Sequence, residues 1–128
     1  MKFRFSIGGY FSGRFEVRLK DHVLLFFVSH IPRPIDLDKP DYKVSVLGDS
    51  DFDNLVSLLK SLKWKRNYDS TILDGTQWEL EFESEAVKYK CYGSNAYPSE
   101  FGALLDALKV LTSKYGITDN LLDMDSLE

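Results

Sequence analysis

Residues that carry chemistry are scarce in this chain. Its single cysteine, Cys91, excludes a disulfide within the chain and fits a reducing compartment. Its two histidines, His22 and His30, stand in no HxH, HExxH or Cys-His spacing, so no zinc site is expected. No GxGxxG or GxxxxGK run occurs, and Gly8, Gly9 and Gly13 fit no phosphate-binding loop. Asp49, Asp51 and Asp53 alternate ahead of a helical pattern, but the glycine and closing glutamate of a calcium loop are missing. Acids near a helix start need only the helix dipole to explain them. The expectation is therefore no metal and no cofactor. The longest apolar run, Val23 to Val28, is far too short to cross a bilayer. Met1 is followed at once by the alternating KFRFSI pattern rather than a leader, so a soluble cytoplasmic protein without a membrane partner is expected. Basic residues are outnumbered, 16 against 20 acids, and the net charge of −4 argues against nucleic acid as the main partner.

What is present is the composition of a folded domain: 44% apolar and 28% charged residues over 128 positions, enough for one core. Phe3, Phe5 and Ile7 alternate with Lys2, Arg4 and Ser6, and Phe15, Val17 and Leu19 alternate with Arg14, Glu16 and Arg18. Each is a strand with one buried face, and Val23 to Ser29 is a third strand, apolar on both faces and so placed inside a sheet. Three prolines between Ile31 and Asp41 exclude a central strand and predict an extended loop. Tyr42, Val44 and Val46 give a fourth strand. Phe52, Leu55, Val56, Leu59 and Leu62 recur at helical spacing, with Ser50 and Asp53 approximating a capping box.

Asp74-Gly75 is the strongest local signal, a pair suited to the two positive-φ positions of a type I′ hairpin turn. It predicts a strand in the last part of Trp64 to Leu73 paired with the strand carrying Trp78, Leu80 and Phe82. Val87, Tyr89 and Cys91 alternate with Lys88, Lys90 and Tyr92 in a further strand, whose basic outer row suits the acidic row Glu79, Glu81 and Glu83. Gly93 to Pro98 turns the chain into a last helix defined by Phe101, Leu104, Leu105, Leu108 and Leu111, with Ser99 and Glu100 at its start and Tyr115-Gly116 as its C-terminal cap. The expected fold is α+β: a largely antiparallel sheet of about six to seven strands with two amphipathic helices on a face. One domain is expected over residues 1–118, with 119–128 an acidic tail carrying no base.

Trp64, Tyr68, Leu73, Asp74, Gly75, Trp78, Leu80, Gly93, Asn95, Tyr97, Pro98 and Phe101 form a pattern, W…Y…LDGTQWxL…GSNAYPxxF, over the second half of the chain. It resembles a group of small uncharacterised bacterial proteins. The resemblance implies a bacterial or phage origin and a recurring domain, and transfers no activity and no site residue.

The aromatics with polar tips gather in one stretch, and such residues are favoured at interfaces. Core packing with turn chemistry is the plainer account of them. The functional account is a groove lined by Trp64, Tyr68, Tyr92, Asn95 and Tyr97. With no catalytic constellation, the reading is a non-enzymatic accessory, immunity-type or regulatory factor that recognises another protein, with homo-oligomerisation through an exposed strand edge as a further mode. Two alternatives stay open. One is a small hydrolase-like enzyme whose site assembles from distant residues, with His30 as base although no nucleophile is paired with it. The other is a structural subunit of a larger complex. Cys91, in the middle of a strand, reads as a buried inert thiol.

Overall fold

The computed structural model describes residues 1–9, 13–29, 36–69, 76–94 and 96–117. These form β1 (Lys2–Gly9), β2 (Arg14–Lys20), β3 (Val23–Ser29), β4 (Tyr42–Ser45), α1 (Ser50–Ser61), β5 (Asn67–Asp69), β6 (Thr76–Glu83), β7 (Lys88–Ser94) and α2 (Phe101–Lys114). The fold is α+β, with a seven-stranded sheet in the order β4-β3-β2-β1-β6-β7-β5. Every pairing is antiparallel except β5 with β7.

The meander β1-β2-β3 follows from the alternation. Phe5 lies opposite Val17 and Val17 opposite Phe26, so the apolar rows of three strands fall on one face. Asp21 takes the left-handed φ of 57° in the turn from β2 to β3, a conformation short polar residues accept more readily than most. Trp78, Leu80, Phe82 and Cys91 continue the same buried face on β6 and β7. Both helices close over it. Phe101 of α2 packs on Phe5 and Trp78, and the Tyr89 hydroxyl donates to the Leu59 carbonyl at the end of α1, 2.7 Å away.

α1 is capped one residue earlier than the Ser50–Asp53 spacing suggests. Asp49 is the N-cap, and its carboxylate accepts from the backbone N–H of Asp51 and of Phe52 at 2.9 and 3.2 Å. The same carboxylate accepts from Lys114 at 3.0 Å and from the Tyr115 hydroxyl, so one side chain ties the start of α1 to the end of α2. The Tyr115 hydrogen bond, with Lys114 and the two backbone donors behind it, holds the Asp49 carboxyl down at about 2 against an ordinary 3.8. α2 opens from Glu100, which sits at φ 71° and makes no side-chain cap. α2 ends as the sequence predicts. Gly116 at φ 73° donates to the Ser113 carbonyl at 3.3 Å and buried Ile117 donates to Thr112 at 2.7 Å, the Schellman arrangement.

The expected hairpin between β5 and β6 is absent. β6 is held over eight residue pairs by β1 and over seven by β7, so neither edge is left for β5, which runs parallel to β7 beyond it. The Asp74-Gly75 turn, His30 and the acidic tail 119–128 lie outside the described residues. Among the described residues no helix is long and apolar enough to cross a membrane.

Candidate functional site

The aromatic corner resolves into two places. Trp64, Tyr68 and Tyr97 come together on the helix-covered side around buried Trp78 and Phe101: Trp64 edge-on to Trp78 at 5.6 Å, Tyr68 tilted against Trp78 at 5.9 Å, Tyr97 on Phe101 at 4.9 Å. The polar tips of Trp64 and Tyr68 are used within the fold. The Trp64 indole N–H donates to the Ser99 carbonyl at 3.1 Å, and the Tyr68 hydroxyl accepts from the Lys65 backbone at 2.9 Å. Burial pushes the Tyr97 phenol above its ordinary pKa. The Trp78 indole N–H donates to the Ala96 carbonyl at 2.9 Å, and the ring fills the space above Gly93 that a side chain there would need.

Tyr92 is not part of this group. It lies on the opposite face of β7, exposed, in the row of Lys88 and Lys90, with Glu79 beside it on β6. Asn95 lies outside the described residues. Among the described residues, Trp64, Tyr68 and Tyr97 are partly buried and pack against the core, while Tyr92 belongs to the other side of the sheet.

That other side holds the unusual chemistry. Among the described residues no helix packs on it, and its outward rows carry charge in a fixed order. Glu16 of β2 is fully buried there, although it is a carboxylate on a helix-free face. A carboxylate so desolvated must be paired and hydrogen-bonded. It takes Arg14 Nη2 at 2.9 Å, Arg4 Nη1 at 3.4 Å and the Arg18 Nε, while Arg4 also reaches Glu79 of β6. Strand pairing builds the cluster: Arg4 lies opposite Arg18 on one side and Glu81 on the other, with Ser6 between Glu16 and Glu79. Three guanidiniums thus meet two carboxylates, leaving a net charge of +1.

Apolar residues adjoin this cluster. The outward row of β3 is Val23, Leu25 and Phe27, and Leu25 lies between Arg18 of β2 and Lys43 of β4. A cleft of about 360 Å³ opens there, lined by Val23, Leu25, Leu37 and Pro40 and rimmed by Lys20, Asp21, Asp38 and Lys43. On β1–β4, β6 and β7 the outward rows hold eight cationic side chains (Lys2, Arg4, Arg14, Arg18, Lys20, Lys43, Lys88, Lys90) against four glutamates. The chain as a whole has a net charge of −4, so its charge is segregated by face.

From the sequence, Arg14, Glu16 and Arg18 are simply the polar outer row of a strand. The signal was an R-x-E-x-R alternation facing Arg4 on the neighbouring strand. Cys91 is buried as expected, and burial raises its thiol pKa. Among the described residues no group of three or more His, Cys, Asp or Glu side chains is placed to hold a metal. The chain matches no protein-family model, no curated protein and no solved structure.

Proposed function

We propose that the protein is a non-enzymatic binding factor that recognises an acidic, partly apolar segment of another protein on the helix-free face of its sheet. The observation that carries this reading is the apolar pair Val23 and Leu25 on β3, with Leu25 set between Arg18 of β2 and Lys43 of β4 and Val23 beside Lys20. An apolar strip with a charged rim, rich in arginine, is the composition of a protein interface. Arg14 and Arg18 are already held by Glu16, so fewer rotamers are frozen when a partner arrives, and the entropy cost of binding falls.

The net charge of −4 is the wrong quantity for judging this face, which is itself cationic. A nucleic acid still fits it less well. The glutamate row of β6 interrupts the cations between β1 and β7, and the residues flanked by β2 and β4 are aliphatic rather than a row of stacking aromatics. A bacterial accessory, immunity-type or regulatory role agrees with such a surface and with the resemblance carried by the second half of the chain.

Selection of a random displayed peptide library on the immobilised protein tests the reading. Peptides combining Asp or Glu with aliphatic residues are expected to be enriched, with binding weakened by salt and by Leu25→Lys. Enrichment of basic peptides, or binding unaffected by Leu25→Lys, would count against it.

A further inference from the structure

Beside the Glu16 cluster the sheet face sinks into a trench of about 240 Å³, lined by Ser6, Gly8, Arg14, Gln77 and Glu79 with the backbone of Gly9 and Gly13 at one end. Its floor is the outward row of β1, Ser6 and Gly8, and its walls are Arg14 of β2 and Gln77 and Glu79 of β6. The floor is kept low by geometry. A Cβ on Gly8 would stand 2.5 Å from the Gly13 carbonyl oxygen, which is backbone and cannot step aside. Among the described residues, Gly8 thus leaves this part of the face without a side chain of its own.

The charge around the trench is unbalanced. Glu16 serves Arg4, Arg14 and Arg18, and Glu79 is taken by Arg4, so the excess positive charge is left on the guanidiniums with a single partner. Of the three, Arg14 is the most exposed at 46%, against 36% for Arg18 and 15% for Arg4, and it is the one that borders the trench. Its contact with Glu16 uses Nη2, so its remaining N–H groups are not spent on that bond. An arginine fixed at one nitrogen and exposed at the others suits a bidentate carboxylate. Glu79 stands on the opposite wall, and its pairing with Arg4 offsets its repulsion of an incoming anion.

We propose that this trench is the anchor of the interface: it receives the carboxylate of one Glu or Asp side chain of the partner, gripped by Arg14 with Ser6 and Gln77 as further donors. The proposal rests on the binding role assigned above to the helix-free face and adds the position that reads the acid. The carboxylate arrives on a polypeptide rather than as a free metabolite, because the trench shares its face with further cations on β2 and an apolar cleft at the other end of the strands, a span that only a chain covers.

The test is a titration of the whole protein with octaglutamate at low ionic strength, followed by amide NMR, with octathymidylate as a second probe. Shifts are expected at Ser6, Gly8, Arg14 and Gln77. Arg14→Gln should raise the Kd tenfold or more, and Lys88→Gln, an equal loss of charge on β7 of the same face and outside the trench, less than twofold. Should Arg14→Gln lose its native amide dispersion, Ser6→Val, which fills the floor and keeps the arginine, is expected to weaken binding in its place. Equal weakening by Arg14→Gln and Lys88→Gln, with shifts still on β2 and β4, would overturn the trench and leave the face reading standing. The absence of shifts anywhere on the face would overturn both. Tighter binding of octathymidylate at the same amides would replace the carboxylate with a phosphate and overturn the proposal.

Discussion

Gly93 shows how one missing side chain sets the packing of a whole corner. A Cβ there would fall within the Trp78 indole and 2.8 Å from the Ala96 carbonyl oxygen that the indole N–H bonds. Gly93→Ala must therefore displace the largest buried ring in the chain. A loss of about 1–3 kcal/mol is expected, the range for overpacking a filled core, read as a lowered midpoint in chemical denaturation. An unchanged midpoint would show that Trp78 is not held there. Tyr92 makes the opposite point. The period-two count that buries Cys91 places Tyr92 on the other face with Lys88 and Lys90, so its separation from Trp64 and Tyr97 was legible in the sequence. Grouping it with them by closeness along the chain ignored that parity. The burial of Glu16 was not legible, because it depends on Arg4 from a different strand.

At the scale of elements, alternation revealed β1, β2, β4, β6 and β7, a continuous apolar run revealed β3, and helical spacing revealed α1 and α2 to within a residue or two. Of the neighbours of β6, β7 was legible in the facing acidic and basic rows, and β1 was hidden. Asp74-Gly75 is a local signal and predicts a local hairpin, whereas the sheet order is decided by which long strands best cover the apolar row of β6. β1 and β7 match it along their lengths, while β5 has three residues to offer and takes the outer, parallel place.

The helices are joined by Asp49, whose role the sequence reduced to a dipole effect. Because its folded pKa is depressed to about 2, its contribution to stability is complete above the unfolded value near 3.8 and is lost as pH falls from there toward 2. Asp49→Asn should lower the melting temperature at pH 6 and reduce the further drop between pH 5 and pH 2. A drop as steep as that of the unmodified protein would show that the tie to Lys114 and Tyr115 contributes nothing to acid stability.

Across the whole molecule, the sheet separates two surfaces of different character. The helices cover the apolar face and form the core, and the other face keeps an ordered set of charges beside an aliphatic strip. The net charge of the chain conceals this, since cations on one face and acids elsewhere cancel in the sum. Segregation of this kind steers an oppositely charged partner to one side and raises the association rate, most strongly at low salt.

The most direct measurement compares two triple charge reversals by anisotropy of a fluorescein-labelled octaglutamate. Arg18→Glu, Lys20→Glu and Lys43→Glu change the helix-free face; Lys60→Glu, Lys63→Glu and Lys109→Glu make the same change of net charge on α1, just beyond α1 and on α2. A binding face on the sheet predicts that the first variant loses affinity by a hundredfold or more and the second by less than fivefold. Equal losses in the two would mean that the peptide senses only the total charge of the protein, and would contradict a binding face on the sheet.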